Sequence, residues 1–163
     1  MESIKVTSQN QLDELPTNYI GRICVCFGTP INPAIIRGEH KYAAILVAGN
    51  SCAVVMGDAH IIARDSSSVV VLGGSTVAAH NSSHVEARDV SSVVAFDYST
   101  VVAWDSSHVE ARGHVCVDAR DYSEINVVTL GNAVVARDNS KVEAWSGNNI
   151  TALGNATVLY FDL

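Results

Sequence analysis

An eight-residue phrase constrains this chain more than any other feature. From Val69 it runs through seven consecutive copies: VVVLGGST, VAAHNSSH, VEARDVSS, VVAFDYST, VVAWDSSH, VEARGHVC and VDARDYSE. Position one is always Val, position three is Val or Ala, and position five is Gly, Asn or Asp. Position seven is Ser in all but one copy. A fixed short period marks a repeat architecture, and it must be settled before any local reading. The frame extends back to Ile61, Ala53 and Ile45 and forward to Ile125. It takes one extra residue before Val134 and resumes at Val142, Ile150 and Val158.

Positions one and three alternate with two and four, so each octad contains a strand with one face turned inward. The residue at position five tolerates positive φ, and the Ser two places later is small enough to turn inward at a corner. Each octad is therefore one strand and one bend. The inward set of Val, Ala and Ser is too small to fill a three-sided coil to native density. Two octads facing each other fill it. The expectation is an all-β, single-domain parallel β-solenoid (a β-helix), flattened into two sheets. Each coil holds about sixteen residues, and coils stack at roughly 4.8 Å.

Residues 1–44 break the octad and read as an N-terminal cap with a first irregular coil, leaving 45–163 as the repeat. Within the cap, Ile4–Thr7 suits a short strand, and Ser8 suits the N-cap of a brief helix through Gln11, Leu12 and Leu15, stopped by Pro16. Ile20–Phe27 reads as the first strand of the stack and Thr29–Pro33 as a bend. A solenoid must shield the edge of its first coil, which this segment does. At the other end Val158–Leu163 stays in frame. Tyr160, at an inward position, either plugs the core or leaves an edge for a second molecule, so monomer and weak dimer both stand.

The net charge is −7. Residues 1–44 are balanced, with Glu2, Asp13, Glu14 and Glu39 against Lys5, Arg22, Arg37 and Lys41, so the excess lies on the repeat. That argues against nucleic acid as a direct ligand. MESIKVTSQNQLDELP lacks a basic-then-apolar leader and no stretch is long enough to span a membrane, so a cytoplasmic setting is expected. Cys52 and Cys116 share a column roughly 19 Å apart, too far for a disulfide. With Cys24 and Cys26 on one strand, four free thiols in a reducing compartment are expected.

Stacking turns position five into columns. On one edge Asp89, Asp105, Asp121 and Asp138 stand above one another, between Gly57 and Gly73 on one side and Gly154 on the other. Like charges at ~4.8 Å repel, so something must offset them. Turn chemistry is one answer, each Asp accepting from backbone amides two residues on. A calcium ladder is a poor one, because its glycine-rich nonapeptide is missing. A third reading makes the row a mimic of a nucleic-acid backbone that attracts a basic groove.

One flat face carries Arg88, Trp104, Arg120 and Arg137 at position four, with Glu86 and Asp118 at position two. Arg88, Trp104 and Arg120 form a column suited to cation–π contact. The opposite face shows Phe96, Arg112 and Trp145. Trp104 and Phe96 among valines suggest a protein-contact surface. The candidate partner-binding set is thus Asp89, Asp105, Asp121 and Asp138, with Glu86, Asp118 and Trp104 beside them.

Asp105, Ser107 and His108 invite a catalytic reading, as do Asn81, Ser83 and His84. Ser is expected to point inward and His outward, so no nucleophile has a base in reach. His60 and His108 share a column about 14 Å apart and cannot share an ion. No phosphate loop, zinc spacing or cofactor motif is present, so neither a metal nor a cofactor is expected, and the chain reads as non-enzymatic. An ice-binding face would want a regular Thr array, but position eight is mixed: Thr76, Ser92, His108, Glu124, Lys141.

The runs SSHVEARD (Ser82–Asp89), STVVAWD (Ser99–Asp105) and SSHVEARG (Ser106–Gly113) resemble the octapeptide β-solenoids of bacteria and their prophages. The opening VTSxxxLDELP, followed by YIGRI and GTPxN, is similar to their caps. In size, repeat and charge the chain is similar to solenoid anti-CRISPR inhibitors of the type I-C system. That resemblance implies a phage-encoded protein acting in the host bacterial cytoplasm. It implies binding to a basic, Cas8-type DNA-binding subunit of the crRNA-guided surveillance complex, blocking target DNA through an acidic surface. The alternative is a structural or assembly module that meets its partner through the apolar faces.

Overall fold

The computed structural model describes residues 2–40 and 42–162. Lys41, from the balanced N-terminal charge set, and Leu163, from the closing run, lie outside them. Among the described residues eighteen strands follow one another, each four to six residues long. They are β1 (Ser3–Val6), β2 (Arg22–Val25), β3 (Ala34–Arg37), β4 (Ala44–Val47), β5 (Cys52–Met56) and β6 (His60–Ala63). Then come β7 (Ser68–Leu72), β8 (Thr76–Ala79), β9 (His84–Ala87), β10 (Ser92–Asp97), β11 (Thr100–Ala103) and β12 (His108–Gly113). The series closes with β13 (Cys116–Ala119), β14 (Glu124–Val127), β15 (Ala133–Ala136), β16 (Lys141–Trp145), β17 (Asn149–Ala152) and β18 (Thr157–Phe161).

From β3 onward, successive strands alternate between two sheets. One has ten strands in the order β1-β2-β4-β6-β8-β10-β12-β14-β16-β18, the other eight in the order β17-β15-β13-β11-β9-β7-β5-β3. Every pairing within each sheet is parallel, and the result is a single β-solenoid of about ten turns with sixteen-residue turns. Register follows the octad frame: Val85 lies against Val101 and Val101 against Val117, with Ala87, Ala103 and Ala119 alongside.

The inward columns form the core. Val85, Val93, Val101, Val109 and Val117 are at most 3% exposed, and their Ala partners are fully enclosed. Small, flat side chains let the two sheets approach closely enough to leave no room for a third. The extra residue before Val134 sits in the bend between β14 and β15. There Thr129 still answers Gly113 sixteen residues back, while Asn132 answers Val115 seventeen back. Leu130 bulges into solvent between them, and the register of β13 with β15 is kept.

At the first coil β1, and not the Ile20–Phe27 segment expected to open the stack, is the outermost strand of its sheet. β1 adds to β2, and a five-residue helix, α1 (Gln9–Asp13), follows with Ser8 as its N-cap, accepting from the Gln11 amide. Leu12 drives the helix into the core and is 1% exposed. What the pattern did not reveal is the role of Gln9. Its side-chain amide accepts from the Ile35 N–H and donates to the Ile35 carbonyl, both at 2.9 Å. Those groups lie on β3, the outer strand of the eight-stranded sheet, so one glutamine replaces a neighbouring strand.

At the opposite edge, Tyr160 stands over Ala144 at an inward position, yet 48% of it meets solvent. It covers the end of the core only in part. All four cysteines are free thiols, Cys52 buried and Cys26 and Cys116 exposed. Among the described residues no helix is long and apolar enough to cross a membrane.

Candidate functional site

In the eight-stranded sheet, the bend after each strand from β5 to β17 places one residue at positive φ. Asp89, Asp105, Asp121 and Asp138 adopt φ of 57°, 56°, 53° and 57°. Aspartate tolerates this conformation because its short side chain can bond locally, where a β-branched residue would clash. A bend residue also interrupts the strand ladder. The amides of Trp104 and Ser106 reach carbonyls of the preceding coil, while that of Asp105 between them has no carbonyl opposite.

The carboxylate of the next coil fills that gap. The Gly73 N–H donates to Asp89 Oδ2 at 2.8 Å, that of Asp89 to Asp105 at 3.1 Å, that of Asp105 to Asp121 at 3.2 Å, and that of Asp121 to Asp138 at 3.3 Å. The expected acceptor geometry, an amide two residues on, is therefore corrected: each Asp serves the amide one coil earlier. The physical reason is that the orphan amides recur at the strand spacing, so the neighbouring coil is the nearest source of acceptors.

This column was read from the sequence, but its counterpart on the other edge was not. Gly49 donates to Asp65, Asp65 to Asn81 Oδ1, and Asn81 to Asp97, at 2.9, 3.3 and 2.9 Å. Asn81 shows that an amide oxygen does the same work without a charge. The signal was available, since these residues occupy position five of the alternate octads.

One oxygen of each carboxylate is thus engaged with backbone, while the side chains of Asp89, Asp105 and Asp138 remain exposed. Hydrogen bonds to backbone amides are directional, so each carboxylate is oriented by the coil that it serves. The result is a straight row of anions, one per coil.

Glu86, Asp118 and Trp104 lie on the adjoining face, already engaged. Arg88 Nε donates to Glu86 at 2.9 Å. Asp118 accepts from Arg120 Nη2 at 2.7 Å and from Arg137 Nε at 2.9 Å, one carboxylate bridging two coils. Partial burial pushes the Asp118 carboxyl upward, but the hydrogen bonds and charges of Arg120 and Arg137 outweigh it and hold the group below its ordinary value. Trp104 lies between Arg120, 4.2 Å from the ring centroid, and Arg88, at 5.6 Å. Phe96 stacks flat on His80 with centroids 4.7 Å apart. Both faces of the Trp104 ring and one face of the Phe96 ring are thus covered from within the chain, and both residues are half-buried.

The serines and histidines separate as expected. Ser83 and Ser107 are fully buried, whereas His84 and His108 are exposed on the outer faces. His84 Nδ1 bonds Thr100 Oγ1 at 2.8 Å, and His60 bonds Thr76 at 2.7 Å, each to the next coil. Among the described residues no three His, Cys, Asp or Glu side chains are grouped to hold a metal ion. A shallow recess of about 330 Å³ over Val102, Cys116, Asp118 and Val135 is mostly apolar and gathers no convergent set of polar groups.

Compared with protein-family models, curated proteins and solved structures, the chain matches none of them, so its description rests on the repeat and on the geometry above.

Proposed function

We propose that this solenoid is a non-enzymatic binding protein that inserts the Asp89–Asp105–Asp121–Asp138 edge into a basic, nucleic-acid-binding groove of another protein. One observation carries the reading: four carboxylates in register, one per coil, each anchored through one oxygen to the backbone of its neighbour. A row already ordered loses little conformational freedom on binding, so its charge is available to steer and hold a cationic partner. The neighbouring Arg88 is matched by Glu86, and Arg120 and Arg137 share Asp118, so the guanidinium groups next to the row are paired on their own face. The net charge of −7 suits a partner that is basic.

The resemblance to octapeptide solenoids among anti-CRISPR inhibitors supplies the first partner to test: a Cas8-type subunit of the type I-C crRNA-guided surveillance complex, in a bacterial cytoplasm, with target DNA as the displaced ligand. The tagged protein is presented to purified complex across a salt series, with and without target DNA. Retention at low salt that falls steeply as salt rises, and competition by DNA, are the expected results. Binding that is indifferent to salt and to DNA contradicts the reading.

The apolar-face alternative has less support in this geometry, because Trp104 lies between Arg88 and Arg120 and Phe96 has one ring face covered by His80.

A further inference from the structure

Beside the N-terminal helix, one recess gathers polar groups from three parts of the chain. It measures about 120 Å³ and is walled by Leu12 and Asp13 of α1, by Ile35 and Arg37 of β3, and by His40 of the 3-10 turn Gly38–His40. Side chains three apart eclipse one another in such a turn, which brings His40 to the side of Arg37. Gly38 lets the turn lie close to the next bend. A Cβ there would stand 2.7 Å from the Asp58 amide nitrogen, nearer than any side chain tolerates. His40 is thereby carried inward and is only 5% exposed.

The hydrogen-bonding capacity around this recess is unevenly spent. Gln9 is fully used: both ends of its amide hold Ile35, and its Nε2 also donates to Asp13 Oδ1 at 2.8 Å. Arg37 Nη1 stands 3.6 Å from the same oxygen, an ion-pair contact longer than a hydrogen bond. Among the described residues the Arg37 guanidinium has no acceptor at hydrogen-bond distance. His40 Nδ1 is buried and has no partner among them either. Native structures rarely leave a buried polar nitrogen alone. Both unspent groups are donors: the guanidinium fork, and Nδ1 as an N–H in one neutral tautomer or in the imidazolium. What they share is the need for an acceptor.

We propose that this recess binds a small aliphatic monocarboxylate, held by the Arg37 fork and by His40 Nδ1. A planar carboxylate matches the guanidinium geometry in two parallel bonds, which a spherical anion does not. Leu12 and Ile35 supply apolar wall for a short alkyl chain. The volume equals that of about four waters of liquid, which limits the guest to about two to four carbons. Asp13 sets the charge, because its carboxylate repels a dianion more than a monoanion and so disfavours phosphate. Its contact with Arg37 is long, so the guest adds bonds to the guanidinium without breaking a short one. The site uses none of the edge aspartates and stands independently of the binding function proposed above.

Titration of the 163-residue protein with acetate, propionate and butyrate at neutral pH and constant ionic strength, followed by NMR, tests this. The range is roughly 0.1–50 mM, where guests of so few atoms bind. The expected result is saturable shifts of the His40 ring and of the Leu12 and Ile35 amides, with β9–β13 unmoved and the melting temperature raised. Arg37→Gln alters an exposed side chain, so the variant folds, as circular dichroism verifies, and binding weakens at least about tenfold. Asp13→Asn keeps an acceptor for Gln9 but removes the like charge, so binding tightens a few-fold. Arg22→Gln, an exposed arginine of β2, binds like the unmodified protein. Absence of saturable shifts at His40 overturns the proposal, as does equal binding by Arg37→Gln or weaker binding by folded Asp13→Asn. A response to chloride or phosphate as strong as that to propionate also overturns it, as a non-specific effect of anions.

Discussion

At the scale of single residues, the serines at position seven separate two kinds of burial. Ser99 donates to the Phe96 carbonyl at 2.7 Å, whereas Ser107 is equally buried and its hydroxyl has no partner among the described residues. A buried hydroxyl without a hydrogen bond costs about 1–3 kcal/mol, and removing a bonded one costs about 1 kcal/mol. Ser107→Ala should therefore leave the urea midpoint unchanged or raise it, while Ser99→Ala lowers it. The aspartates behave differently again. Asp105→Asn keeps an acceptor for the Asp89 amide and a residue type that tolerates positive φ, as Asn81 demonstrates in the other column. Asp105→Ala loses both and should destabilise by about 1–2 kcal/mol. That these positions are turns was legible from residue type, because few side chains accept φ near 57°. That the acceptor serves the previous coil was not, because a hydrogen bond across sixteen residues depends on the stacking itself.

Asp118 adds a pH dependence. Its folded-state pKa lies below the ordinary carboxylate value, chiefly because bonds from Arg120 and Arg137 outweigh the upward push of burial. A lowered pKa means that the ionised, bonded form stabilises the fold above about pH 4, and that this contribution is lost as pH falls through the lowered value. The difference in urea midpoint between the unmodified protein and Asp118→Asn should be constant near neutrality and shrink on acidification below that point. A difference that grows on acidification contradicts it.

At the scale of elements, the strands were legible because two independent periods agree: alternation within an octad and recurrence between octads. Agreement across levels makes a sequence specify one structure, and even the extra residue before Val134 was visible as a break in the frame. The short helix was legible through Ser8 and the apolar Leu12. The clamp made by Gln9 was not, since nothing local says that residue 9 will lie beside residue 35. Gln9→Ala leaves the Ile35 N–H and carbonyl without their partner and should cost about 1–2 kcal/mol. It should also speed amide exchange of Ile35 while leaving the central strands β9–β13 protected, because each coil contacts only its neighbours. Equal loss of protection throughout would mean that the cap governs the whole stack rather than its first coil.

At the scale of the whole molecule, the fold was legible in the repeat, whereas the function proposed above rests on the geometry of one edge. A repeat dictates a shape, whereas activity depends on sites placed upon it, and here position five, which carries the aspartates, is one the bends need for structural reasons. The row of carboxylates thus admits two readings that the sequence alone does not separate: anchoring the bends and, on the function proposed above, presenting charge. The geometry separates them, because asparagine satisfies the first and abolishes the second. The most direct measurement is the affinity for the type I-C surveillance complex of the unmodified protein and of the Asp89→Asn, Asp105→Asn, Asp121→Asn, Asp138→Asn combined variant, with thermal melts of both. The account predicts that the melts nearly coincide while binding is lost or falls at least roughly a hundredfold at low salt, as expected when four charge contacts are removed. Tight binding by the folded variant, with an unchanged salt dependence, would contradict it and assign the aspartates to the bends alone.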